Sequence, residues 1–181
     1  MKRLLLASAF VAAAATAMAQ GTVKFSNFST VDGINSPVFA PGGVKLGSAY
    51  LGQLYAGPTE GSLAPVGSAA IAFKDAAGVG TGYIIGGTAT LGNVGVGATA
   101  FIQLRAWEAA GGTSYEAAQA AGKLFGSSAT ISVVTGGQPP SGPPLVPAPL
   151  TGLASFTLVP EPSTLALGVL GAAALLLRRR R

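Results

Sequence analysis

Apolar positions in this chain come in short runs separated by Gly-rich stretches. Val, Ile, Phe, Tyr and Thr dominate the runs, and such side chains suit a pleated, half-buried surface. The clearest run is Ala98 to Trp107. Ala98, Ala100, Ile102, Leu104 and Ala106 share one face of an extended chain, and Thr99, Phe101, Gln103, Arg105 and Trp107 share the other. The first face is small and apolar throughout, as a core face should be. The same pattern predicts strands over Thr22–Phe28, Val44–Leu46, Ala49–Ala56, Ala69–Lys74, Gly82–Ile85, Thr88–Leu91, Thr99–Trp107, Ala129–Thr135 and Leu153–Val159. Gly86-Gly87 predicts a two-residue hairpin turn. Gly78-Val79-Gly80 and Gly95-Val96-Gly97 predict further turns.

Two segments depart from alternation. Ser114 to Ala121 predicts a short helix, capped by Ser114 or Thr113 and ended by Gly122. Gly136 to Leu150 holds six of the twelve prolines. That density predicts an extended crossing loop. Ala154, Phe156 and Leu158 then alternate with Ser155 and Thr157, so the chain returns for a last strand. Many short strands with turns between them predict an all-β fold, an antiparallel β-sandwich of jelly-roll or Ig-like type with one short helix.

Both ends follow a different logic. Lys2 and Arg3 precede the apolar run Leu4 to Ala15, and Ala17-Met18-Ala19 stands before Gln20. This reads as a secretory signal peptide over 1–19, with Ala17 and Ala19 as the small residues of a small-x-small site and a single cut before Gln20. Its partners would be the Sec translocon and signal peptidase. A permanent span needs roughly 20 apolar residues, and this run is shorter.

At the other end, Leu165 to Leu177 carries no polar side chain. At about 1.5 Å per residue it covers roughly 20 Å of a hydrocarbon core about 30 Å thick. Pro162 suits a first helical turn, where its missing N–H would be unpaired anyway. A helix running from Pro162 into Arg178, Arg179, Arg180 and Arg181 reaches the needed length, with the arginines snorkelling to the headgroups. Those arginines also set the orientation, with the C-terminus in the cytoplasm. The expectation is a transmembrane helix over 165–177 that holds the domain on the inner membrane for a time.

Val159-Pro160-Glu161-Pro162-Ser163-Thr164, the apolar run and the arginine cluster follow one another in order. Together they resemble the PEP-CTERM sorting signal of bacterial exported proteins, over residues 160–181. The resemblance implies recognition of Pro160, Glu161 and Pro162 by an exosortase, a membrane-embedded cysteine transpeptidase-like enzyme, with cleavage near the triplet. It also implies a Gram-negative host that makes extracellular polysaccharide. It is confined to the tail and implies nothing about what the rest of the chain binds.

The net charge of +5 changes meaning once the ends are set aside. Lys2, Arg3 and the four terminal arginines are six of eleven positive charges. Lys24, Lys45, Lys74, Arg105 and Lys123 then face Asp32, Glu60, Asp75, Glu108 and Glu116, five against five. A neutral domain over 20–159 removes the argument for nucleic acid as a partner. Its length, about 140 residues, suits one domain with a real core. The chain has no Cys and no His. That removes disulfides, thiol chemistry, His-based triads and most transition-metal sites, so no cofactor and no metal are expected.

A few residues remain for chemistry. Phe101, Arg105 and Trp107 share a strand face and would make a sugar-stacking platform if displayed, or a second packed face if covered. Glu108 and Glu116 would be the acid pair of an extracellular hydrolase, or solvated surface acids. Asp32, Asn35, Glu60 and Asp75 offer oxygen ligands for calcium, without any EF-hand spacing. Asn27-Phe28-Ser29 matches the N-glycosylation pattern. The sequence therefore favours an exported cell-surface or extracellular-matrix protein, routed by exosortase and non-enzymatic. A carbohydrate-binding module for extracellular polysaccharide stands as the alternative, and a hydrolase third.

Overall fold

A computed structural model of the chain describes residues 19–67, 69–75 and 80–160. The signal peptide up to Met18 and the transmembrane helix expected over 165–177 lie outside the described residues. In chain order the elements are β1 (Gln20–Ser26), β2 (Phe28–Ser29), β3 (Ile34–Asn35), β4 (Val38–Phe39), β5 (Tyr50–Gly57), β6 (Ala64–Pro65), β7 (Ile71–Ala72), β8 (Ile85–Gly95), β9 (Thr99–Glu108), α1 (Tyr115–Ala120), β10 (Phe125–Ser127), β11 (Ile131–Val134) and β12 (Phe156–Thr157). Among the described residues strand is therefore the prevailing regular structure, in open sheets, with one short α-helix.

β9 organises the main sheet. Ala100, Ile102, Leu104 and Ala106 are all buried, as the alternation requires. One edge of β9 pairs antiparallel with β5, from Thr99's neighbourhood at Phe101↔Gly57 to Glu108↔Tyr50. β10 and β11 share the other edge, β10 against Arg105 to Trp107 and β11 against Thr99 to Ile102. Ser128 fills the gap between them. Its hydroxyl accepts from the Leu104 N–H at 3.0 Å, while its own N–H donates to the Leu104 carbonyl at 2.9 Å. A buried ladder position thus stays satisfied where the strands change over.

β1 and β8 form a second ladder, antiparallel, with register shifts near both ends. Here the sequence reading is corrected. Gly86-Gly87 makes no hairpin; the chain runs straight through as β8. Gly87 takes φ of +79° opposite Phe25, beside one of the register shifts. A bulge uses the same glycine freedom as a tight turn, so sequence alone does not separate them. The strand expected over Val44–Leu46 reduces to a single bridge, Phe39↔Lys45, with Leu46 buried. The pairing is not all antiparallel either, because β12 runs parallel to β4.

One core joins the two ladders. Val23, Phe25 and Leu91 from the β1–β8 pair pack in the same cluster as Leu54, Ala56, Ile102 and Leu104 from the main sheet. The proline-rich segment lies along the free side of β1. Gly136 and Thr22 exchange both backbone hydrogen bonds at 2.9 Å, and Lys24 N–H donates to Ala148 at 2.8 Å. The expected crossing loop is thus held along much of its course, with Leu150 buried at its end.

Candidate functional site

Two places bring functional candidates together: the exit of the chain toward Pro160, and the face of β9 beneath α1.

The exit is built from alternation and one glycine. Leu153 is buried, and its carbonyl accepts from the Ser36 hydroxyl. Phe156 and Thr157 then align with Val38 and Phe39. Leu158 is 0% exposed, and its N–H donates to the Phe39 carbonyl at 2.8 Å. Val159 exchanges both backbone bonds with Phe125, donating at 2.9 Å and accepting at 3.2 Å. Its side chain points outward and is 52% exposed. Gly126 permits this close crossing. A Cβ there would meet Leu158 Cδ2 at 3.1 Å and the Thr157 carbonyl oxygen at 3.2 Å. The terminal segment therefore ties β4 to β10 and ends one residue before the triplet. Pro160 is exposed. It has no N–H to donate, so it cannot continue the ladder. Glu161, Pro162 and Arg178 to Arg181 lie outside the described residues.

On the other face of β9, Arg105 is sandwiched between aromatic rings. Its guanidinium carbon stands 3.9 Å from the Tyr55 ring centroid and 5.1 Å from that of Tyr115. Its Nε donates to Gln103 Oε1 at 2.8 Å and its Nη1 to Glu116 Oε1 at 3.4 Å. The Tyr55 hydroxyl donates to the same carboxylate at 3.0 Å. Burial first, and then the Glu116 carboxylate, push the Tyr55 hydroxyl up to about 12. Tyr115 is also raised, chiefly by burial. Both phenols therefore stay neutral around neutral pH, and the Tyr55 hydroxyl acts as a packed donor rather than a base.

Helix α1 carries Tyr115 and Glu116 into this cluster. Ser114 caps it as expected, its hydroxyl accepting from the Ala117 N–H at 3.1 Å. Tyr115 meets Trp107 and Phe125 edge-on, with centroids 6.2 and 5.6 Å apart. Trp107 is 0% exposed, and its indole N–H donates to the Gly112 carbonyl at 3.1 Å. This corrects the platform of Phe101, Arg105 and Trp107. The helix covers the Arg105–Trp107 end of this face, so Trp107 presents no ring to a sugar, and Arg105 stacks on the protein's own tyrosines, while Phe101 is half-buried.

Of the remaining candidates Glu60 is exposed, and the others are held by local partners. Glu108 faces Lys123 at 4.0 Å, while Glu116 belongs to the Tyr55–Arg105 cluster. Asp32 binds Lys24 at 3.0 Å and accepts from the Ser29 hydroxyl at 2.7 Å, and these contacts, Ser29 first, hold its carboxyl below the usual range. Asp75 accepts from Ser48, which lowers it likewise. Asn35 accepts from the Tyr83 hydroxyl at 2.6 Å. Among the described residues no three acidic side chains gather to hold a metal ion.

Asn27, which matches the N-glycosylation pattern, plays a structural part instead. It is 1% exposed. Its amide donates to Ser36 at 2.8 Å and Gly82 at 3.0 Å, and accepts from the Ile84 N–H at 2.7 Å. It stitches β1's end to the approaches of β4 and β8. A glycan has no access to that nitrogen in the folded chain. Tyr55 and Tyr115 were not singled out from sequence, because only the packing of α1 onto β5 and β9 brings them to Arg105.

Residues 158–181 match the family model of the PEP-CTERM protein-sorting motif. No curated protein and no solved structure matches the chain. The tail is thus a sorting motif, as its resemblance implied, and such a motif implies export and an exosortase as processing partner. Among the described residues no helix is long and apolar enough to cross a membrane. The matched segment begins at Leu158, inside the folded domain, two residues before the triplet.

Proposed function

We propose that this chain is an exported cell-surface or extracellular-matrix protein with a structural or interaction role, delivered by translocation and sorted by an exosortase. One observation carries the reading: a sorting motif over 158–181 starts where the folded domain closes. Removal of 1–19 leaves Gln20 as the first residue of β1. The folded part loses one backbone contact, that of the Val96 N–H with the Ala19 carbonyl. The apolar run over 165–177 then holds the domain at the outer face of the inner membrane, arginines inside. The triplet lies between the two.

The non-enzymatic role draws support from four of the domain's five acids. Glu108, Glu116, Asp32 and Asp75 each serve a structural partner. The reading is tested by fractionating the native host and sequencing the protein's N-terminus. The protein is expected on the surface or in the matrix, beginning at Gln20. Cytoplasmic protein beginning at Met1 would overturn it.

A further inference from the structure

Resting on the export reading above, we infer that Gln20 is a modification site. Its new α-amine condenses with its own side-chain amide, and the mature chain begins with a pyroglutamyl lactam.

Removal of 1–19 gives Gln20 a free α-amine and leaves its side-chain amide carbon within reach of that nitrogen through a small, unstrained ring. An attack within one residue has the advantage of proximity. An α-amine titrates near pH 7.7–8.0, about neutral pH, so part of it is the nucleophilic free base there. The fold leaves both groups accessible. Gln20 is exposed at the head of β1. A Cβ added at Gly92 would meet the Gln20 Nε2 at 3.8 Å and nothing nearer, so the side chain lies out along the surface of β8. Exposed side chains change rotamer within nanoseconds, and Cδ can swing back to the amine.

The chain beyond is anchored. A Cβ at Gly137 would come within 2.8 Å of the Gln20 carbonyl oxygen, Gly21 pairs with Leu91, and Thr22 exchanges bonds with Gly136. The ring takes in only the nitrogen, Cα and side-chain carbons of Gln20, so these contacts survive its closure. It also restores a carbonyl on the Gln20 nitrogen, in place of the Ala19 carbonyl that is lost with the leader.

Cyclisation also removes a charge. Gln20 lines a cleft of about 400 Å³ together with Pro65, Thr90 and Asn93, and no charged side chain contributes to its lining. A free ammonium on Gln20 would be the one charge on that wall, and the lactam keeps it neutral.

The step balances without a co-reactant. The amine nitrogen bonds to Cδ, and the Cδ–Nε2 bond breaks. Nε2 leaves as ammonia, taking a proton from the attacking nitrogen, and nothing is oxidised or reduced.

The test compares wild type with Gln20→Ser, each taken fresh from the native host. The N-terminal peptide is read by mass spectrometry after treatment with an amine-reactive label. Most wild-type molecules are expected to start at Gln20, short of one ammonia at that residue and unlabelled. Gln20→Ser is expected at full mass and labelled. A labelled, full-mass Gln20 in most wild-type molecules would overturn the inference and leave export standing. Loss of ammonia from both chains alike would overturn it as well, since it would come from another residue. A start at any other residue also overturns it, and a start at Met1 takes the export reading down too.

Discussion

The guanidinium of Arg105 lies over the ring of Tyr55, 3.9 Å from its centroid, and the Tyr55 hydroxyl donates to Glu116 on α1. Strand β5, strand β9 and the helix meet at this stack. Its consequence is a phenol that resists ionisation. Tyr55 should titrate near 12, well above an ordinary tyrosine near 10. Burial is the first cause, so Glu116→Gln should lower the midpoint and still leave it above 10. A folded value above the unfolded one means that the contribution is full below about pH 10. Stability should then fall as pH rises from about 10 through about 12, because the unfolded chain loses the proton first. Phenolate absorbance and denaturant midpoints measured across that window check both statements.

Trp107 should emit as a buried indole. With no exposed surface and its N–H bonded to Gly112, it should show a blue-shifted spectrum and weak quenching by iodide. Added extracellular polysaccharide should leave the spectrum unchanged. Trp107→Ala should destabilise the domain by about 3–5 kcal/mol, the usual range for a large aromatic removed from a core. A polysaccharide-dependent shift would show that the ring becomes displayed.

Leu158→Ala should act as a core mutation although it falls in the sorting motif. The side chain is fully buried between β4 and β10. The expected loss is about 2–5 kcal/mol in denaturant unfolding. Val159→Ala changes a half-exposed side chain and leaves the backbone bonds to Phe125, so it should cost less than about 1 kcal/mol. Equal effects at the two positions would contradict the inward and outward assignment.

The strand β9 and the capped helix α1 were legible in sequence because their signals are local. Alternation from Ala98 to Trp107 and a Ser before a short helical run need no partner to be read. Three features were not local. Gly86-Gly87 is compatible with a turn and with a bulge, and only the pairing of β1 along the whole of β8 decides for the bulge. Trp107 lies on the alternating face that would be exposed in an uncovered sheet, and the docking of α1 reverses that. Asn27 matches a glycosylation pattern that is too short to reveal whether the residue is exposed. Its burial depends on carbonyls at Ser36 and Gly82, far away in sequence. The exit was half legible: alternation predicted the last strand, but its parallel pairing to β4 and the need for Gly126 came from the fold.

Thr22→Val should stabilise the domain. The Thr22 Oγ1 is buried without a hydrogen-bond partner among the described residues. Replacing the hydroxyl by a methyl of the same shape removes a desolvated polar atom and should gain up to about 1 kcal/mol. Thermal unfolding of the purified domain measures it, and a lower midpoint would show that the hydroxyl is satisfied.

The routing account turns on the triplet at the domain's exit. Its most direct test replaces Pro160, Glu161 and Pro162 by alanine in the native host and follows the protein by fractionation. The folded domain closes at Val159, so the variant should fold as before. It is expected to stay in the inner membrane, unprocessed. Normal release and surface location of that variant would contradict sorting through the triplet.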